Sequence, residues 1–184
     1  MESPSLIGRL LLSFLLGGSS VLYGQALPTA SRVADAQIGI GYSPAKSGYV
    51  QQTFQGASAY ADFDSTLHLG VEAEFHQVYS TSGDQSYQRT YEIGARYFRT
   101  YGPLVPYVKA MIGRGDFNYP SGATNLGYNM FAGGAGADVK LGPWLHVRGE
   151  YEFQRWSSFP NGGLTPRIVT IGVAYHFANK PGYR

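Results

Sequence analysis

From Asp35 to Phe177 the chain alternates, stretch after stretch, between apolar residues and polar, charged or small ones with a period of two. The final stretch, Val169-Thr170-Ile171-Gly172-Val173-Ala174-Tyr175-His176-Phe177, shows the pattern plainly and ends on an aromatic. Successive side chains of a strand point to opposite faces, so the pattern predicts strands with one apolar face each. Eight strands are expected, at 35–43, 54–63, 67–79, 89–100, 105–115, 129–140, 145–154 and 166–177.

One row collects Ile38 and Ile40, Ala57, Ala59 and Ala61, Leu69, Val71 and Ala73, Ile93 and Ala95, and Val108, Ala110 and Ile112. It continues through Phe131, Ala135, Ala137, Val139, Val147, Tyr151, Val169, Ile171 and Val173, with no charge in the middle of any strand. The opposite row holds Glu72, Glu74, Glu92, Arg96, Lys109, Asp138, Arg148, Glu150 and Glu152, with Gly and Thr between. A soluble sandwich or a lipocalin-like binder also has an apolar and a polar face, but there the apolar row lies inside. Two details favour the inverse arrangement. Several strands run 10–13 residues, the length of a tilted membrane-crossing strand rather than the usual ~5–6. Aromatics stand at the ends of the apolar rows: Tyr42, Phe63, Tyr79, Tyr91, Tyr97, Tyr101, Phe153, Tyr175 and Phe177. Two interfacial girdles require such placement.

Three connections are short, at Asp64-Ser65-Thr66, Gly102-Pro103 and Gly142-Pro143. Four are longer and polar: Pro44–Thr53, Ser80–Gln88, Asp116–Tyr128 and Arg155–Thr165. Short turns at one end and longer loops at the other are the periplasmic and extracellular ends of a membrane barrel. The fold expected is therefore all-β, an eight-stranded antiparallel up-and-down transmembrane β-barrel over residues 35–177.

Charged residues make up only 14% of the chain, against ~25% in soluble domains. No apolar run past the N-terminus approaches the ~20 residues of a membrane helix. The net charge of +2 gives no reason to expect nucleic acid as a partner. At the N-terminus, Arg9 precedes the apolar Leu10-Leu11-Leu12-Ser13-Phe14-Leu15-Leu16, and Gly24-Gln25-Ala26 supplies the small residues of a cleavage site. This predicts a secretory signal over 1–26, followed by a lead-in at 27–34 and, past the barrel, a short tail at 178–184. The chain has no cysteine, hence no disulfide or thiolate metal site.

These features together resemble the OmpA/OmpX-type eight-stranded outer-membrane barrels, barrel domain only. The segments carrying the likeness are Gly56-Ala57-Ser58-Ala59-Tyr60-Ala61, Val71-Glu72-Ala73-Glu74-Phe75, Pro106-Tyr107-Val108-Lys109-Ala110, Gly149-Glu150-Tyr151-Glu152-Phe153 and the closing Gly172-Val173-Ala174-Tyr175-His176-Phe177. The resemblance implies a place in the outer membrane of a Gram-negative envelope and insertion by the barrel-assembly machinery. Val173, Tyr175 and Phe177 would be its C-terminal assembly signal; here seven residues follow that aromatic, where the family's signal ends.

Function is less sharply written. Eight strands enclose an interior just wide enough for side chains to fill, and buried charges persist only when paired. The nine inward charges are therefore expected to interlock and close the lumen, the alternative being a narrow cation-preferring, porin-like channel gated by them. Arg89, Arg114, Arg155 and Arg167 share the outward parity at loop-side strand ends. Guanidinium matches phosphate in a bidentate fork, which makes lipopolysaccharide an expected partner, with snorkelling at the interface the plainer account. Loop aromatics Tyr49, Phe117, Tyr119, Tyr128, Trp156 and Phe159 are candidates for contact with an extracellular partner, or for a rim packed on itself.

All four histidines take the inward parity, with His68, His146 and His176 toward the turn end, but no metal-ligand spacing joins them, and no metal or cofactor is expected. Catalytic residues are not expected either. The stretch Gln154 to Leu164 faintly resembles the Ser–His region of lipid A deacylases, yet Arg155 and Trp156 precede Ser157 and Ser158 where a histidine is needed. Arginine is no general base, which makes a lipid A-modifying hydrolase the remotest reading. The expected role is a monomeric envelope protein of structural or surface-interaction function.

Overall fold

The computed structural model describes residues 34–48, 53–65, 67–82, 86–118, 126–157 and 163–177. The expected signal peptide, the lead-in up to residue 33 and the tail at 178–184 lie outside the described residues. Nine strands are formed: β1 (Ala34–Tyr42), β2 (Ala45–Lys46), β3 (Thr53–Ser65), β4 (Leu69–Ser80), β5 (Tyr87–Phe98), β6 (Leu104–Asn118), β7 (Leu126–Lys140), β8 (Leu145–Trp156) and β9 (Arg167–His176). β1 and β2 are two pieces of one stave, since both lie between β3 and β9. The break falls at Ser43-Pro44, where proline has no N–H to give the ladder; the Pro44 carbonyl still accepts from the Val169 amide.

Each stave pairs antiparallel with its sequence neighbour, and β9 returns to β1 from Gln37↔His176 to Tyr42↔Ile171. The result is a closed, eight-staved, up-and-down barrel without a free edge. Among the described residues no helix is long and apolar enough to cross a membrane; the crossing is made by strands.

The register fixes both faces. Ile38, Ile40, Leu69, Val71, Ile93, Val108, Ile112, Phe131, Val169, Ile171 and Val173 are all exposed on the outer wall, flanked by the girdle aromatics. A contiguous apolar surface of this extent does not stand in water. Every residue of the charged row is buried inside. Strands extend further at the loop end than the sequence suggests, by two or three residues in four of them: β5 begins at Tyr87, β6 continues to Asn118, β7 begins at Leu126 and β8 continues to Trp156. Period two is simply maintained there by aromatic and sulfur-containing residues in place of charged ones.

Like charges face each other along the wall: Asp62 opposes Glu72, Glu74 opposes Glu92, and Arg96 opposes Lys109. Directly opposed like charges destabilise a ladder. Compensation along the sheet comes where Arg148 opposes Asp138, and the rest must come from across the lumen.

Candidate functional site

Near the turn end, two guanidinium groups are held in a cage of carboxylates. Arg148 approaches Asp62 Oδ2 at 2.5 Å with Nη2, Asp138 Oδ1 at 2.8 Å with Nε, and Glu72 Oε2 at 3.2 Å with Nη1. Arg96 shares the same three acids, with Asp62 at 2.5 Å, Asp138 at 3.1 Å and Glu72 at 3.2 Å, and reaches Asp64 at 3.4 Å. Planar five-donor forks suit such shared pairing better than a point charge. Aromatic rings complete the cage. The Arg148 guanidinium carbon lies 3.9 Å from the Tyr60 ring centre, and that of Arg96 lies 4.2 Å from the Tyr107 ring centre. Both stacks are cation–π contacts in a desolvated setting. Room for Tyr60 is made by Gly39, where an added Cβ would stand 2.3 Å from the ring.

Below the cage, Gln37 donates to Asp62 at 2.5 Å and to Asp138 at 3.0 Å. Its carbonyl oxygen lies 2.8 Å from His146 Nδ1. His146 stacks on His176, ring centres 4.7 Å apart, and His176 lies 2.9 Å from Asp35 at the turn-end mouth.

One layer toward the loops, Lys109 stands among four carboxylates. Its Nζ is 2.9 Å from Glu72, 2.7 Å from Glu150 and 2.9 Å from Glu152, and it also pairs with Glu74. Tyr107 donates its hydroxyl to Glu150. His76 Nε2 lies 3.1 Å from Glu74 Oε1. Glu92 accepts from Thr90 at 2.6 Å and from Gln154 at 2.8 Å. Two groups here bring one potential ligand atom per residue within 4.8 Å of one another: Glu74, His76 and Glu152, and Glu72, Glu74 and Glu150.

At the loop end the filling changes character. Phe54, Val78, Met111, Phe117, Met130, Trp156, Leu164 and Ile168 pack with Ala45 and Ala132 into an apolar cluster inside the barrel. Trp156 is fully buried, and Gly115 makes way for it: a Cβ there would stand 2.4 Å from the indole. Its Nε1 donates to Gln154 Oε1 at 3.0 Å, while Gln154 Nε2 donates to Glu92 and Glu152 at 2.8 Å each. Gln154 thus joins the apolar cluster to the ionic layers.

The sequence-predicted lumen residues Glu72, Glu74, Arg96, Lys109, Asp138, Arg148, Glu150 and Glu152 are brought together by ion pairs. Glu92 departs from expectation: its hydrogen bonds come from Thr90 and Gln154, because the inward cations lie lower in the barrel. Sequence reasoning missed Asp62, which both arginines touch, along with Tyr60 and Tyr107, while His76 faces inward as its parity implies and meets Glu74. Asp62 shares the inward parity of Ser58 and Tyr60; that parity, carried to the strand's end, was the available signal.

Phe117 and Trp156 are corrected outright as partner-contacting loop aromatics, since both are buried in the lumen, and Tyr128 packs against the same cluster. Tyr49, Tyr119 and Phe159 lie outside the described residues. His68 is corrected too: it sits exposed in the β3–β4 turn at φ 64°, its ring against Phe98, and does not enter the lumen.

On the outer wall, Arg114, Arg155 and Arg167 are exposed and Arg89 is half-buried, donating to Gln77 at 3.2 Å. The register puts Arg114 beside Tyr91, Arg155 beside Phe131 and Arg167 beside both Phe153 and Lys46. The four arginines occupy β5, β6, β8 and β9 at the loop side. Val173, Tyr175 and Phe177 all face outward.

Comparison with known proteins agrees with this architecture. The model of the outer membrane protein beta-barrel domain matches residues 12–177. Among solved structures, the fold is similar to Neisserial surface protein A, with a TM-score of 0.65, 12% identity, and coverage of 78% of this chain and 97% of that one. It is also similar to OprG of Pseudomonas aeruginosa, at TM-score 0.56 and 14% identity, covering 80% and 97% of the two chains. Ail, the attachment invasion locus protein of Yersinia pestis, gives 0.52 at 18% identity, covering 78% and 97%. No curated protein matches the chain in sequence.

Proposed function

The chain belongs to the outer-membrane β-barrel family, and from that premise we propose that it is a non-conducting surface barrel of structural or interaction role. The observation that carries this reading is the double filling of the lumen. Two buried arginines and a lysine lock the turn-side layers, and the apolar cluster around Trp156 occupies the loop side. An ion crossing the barrel would have to part both. Breaking the lower network strips buried charges of their partners, at about 3–5 kcal/mol for a single lost partner. The upper cluster offers a passing ion no polar atom in exchange for its water. Its work is done at the surface, by the outer wall and the four loop-end connections, without catalytic chemistry.

Planar-bilayer recording tests the reading. The wild type and Lys109→Glu are both expected to show no unitary current, because the apolar cluster closes the path even where the lysine is reversed. Stepwise cation-selective conductance in the wild type would establish the narrow channel instead.

The outer-wall arginines carry a second element. Arg89, Arg114, Arg155 and Arg167 bind phosphates of lipopolysaccharide at the loop-side rim, with Lys46 beside Arg167 adding a fifth cation to the band. Replacing the four arginines by Gln should reduce lipopolysaccharide retained through purification. Unchanged retention would leave these side chains as interfacial anchors only.

A further inference from the structure

The upper ionic layer holds more negative charge than its cations match. Glu74, Glu92, Glu150 and Glu152 are all buried there, and Lys109 is the one lysine or arginine among the described residues that touches any of them. The arginines below are already engaged by Asp62, Asp138 and Glu72. Isolated carboxylates in a medium of low dielectric are not tolerated as such, so this layer must either take up protons or hold a further cation.

Two side chains point to where that charge belongs. His76 is about as buried as any residue in the barrel, at 1% exposure, and its Nδ1 has no partner among the described residues. Glu92 is 5% exposed, opposes Glu74 across the β4–β5 ladder, and its Oε2 has no partner either. Of the two carboxylate groupings, Glu72, Glu74 and Glu150 are already filled by the lysine ammonium. Glu74, His76 and Glu152 are only partly engaged: Glu74 and Glu152 each give one oxygen to Lys109, Glu74 turns its Oε1 to His76, and neither His76 nor the adjacent Glu92 meets the ammonium.

We propose that Glu74, His76 and Glu152, with Glu92 beside them, bind one divalent transition-metal ion inside the barrel, between the lysine layer and the apolar cluster. One imidazole nitrogen with carboxylate oxygens is a donor set suited to zinc or manganese rather than to calcium or magnesium, which favour oxygen alone. A dication together with Lys109 would leave the four carboxylates of the layer with a single negative charge in excess. Gln154, bonded to both Glu92 and Glu152, orients the ligands from outside, as second partners of metal ligands do. The ion would staple β4 to β8 across the lumen, a link that no backbone pairing supplies.

The test is metal content with Zn2+ as the probe. The full chain, purified folded from outer membranes and also refolded from urea into detergent, is equilibrated with micromolar Zn2+, freed of excess and assayed by elemental analysis. The expectation is about one ion per barrel, with affinity lowered at least ~10-fold in His76→Gln and in Glu152→Gln and unchanged in His146→Gln. Heat-modified migration on gels checks that each variant is folded. Loading with Co2+ should give a visible d–d spectrum that His76→Gln shifts or abolishes. Wild type that retains no zinc in either preparation overturns the proposal, leaving His76 to serve as the counter-charge in its protonated form. Zinc lost in His146→Gln but kept in His76→Gln overturns it equally, placing the ion on the histidine pair at the mouth.

Discussion

The two halves of the lumen are filled by opposite means although the same eight staves line them. On the turn side, six buried carboxylates, two arginines and a lysine interlock with tyrosine rings. On the loop side, side chains of identical parity are Phe, Met, Trp, Leu and Ile. An ionic filling is directional: each guanidinium must find its acids at hydrogen-bond distance, and one missing partner strands the rest. An apolar filling demands volume and little else. The wall therefore dictates only that the interior be occupied, and Gln154 is the side chain that lets both solutions meet.

The sharpest way to break this comparison is Arg148→Met, which keeps much of the bulk and removes the charge. Asp62, Asp138 and Glu72 each lose a donor, so the variant should be destabilised by about 3–5 kcal/mol, read as a lowered urea midpoint for unfolding from lipid vesicles. An unchanged midpoint would mean that the turn-side network is ornamental. Met130→Ala in the apolar half should cost less, about 2–3 kcal/mol, because neighbouring side chains can settle into the space. Trp156 emission, recorded with Trp144→Phe as background, should move to the red as water enters; no spectral change would argue against a dry cluster. The smallest effect is expected for Glu92→Gln in metal-free buffer. Its contacts come from neutral groups, so the midpoint should move by less than about 1 kcal/mol. A loss as large as that of Arg148→Met would show that Glu92 belongs to the ionic network after all.

How far the sequence discloses these two halves depends on what each side chain can signal alone. Inward charge is conspicuous in a period-two pattern, so Arg96, Lys109, Asp138 and Arg148 are legible at once. Trp156 and Phe117 are not, because an apolar residue near a strand end is equally consistent with a loop. Only the continuation of β6 and β8 by two or three residues places them inside. Asp62 hides for a related reason: it falls within the expected strand at 54–63 but beside its end, two residues before Asp64 opens the turn. Which acid meets which base is a matter of cross-lumen distance: Arg148 and Asp62 come from β8 and β3, which do not pair.

The closure of β9 onto β1 has a kinetic consequence. The first stave can complete its ladder only against the last, more than a hundred residues later in the chain. Until synthesis and export deliver Arg167–His176, two raw edges remain open to any passing strand. Pairings so distant in sequence are slow to form. Closing that seam is thus the step that ends the chain's exposure to mispairing, because it removes the last free edge.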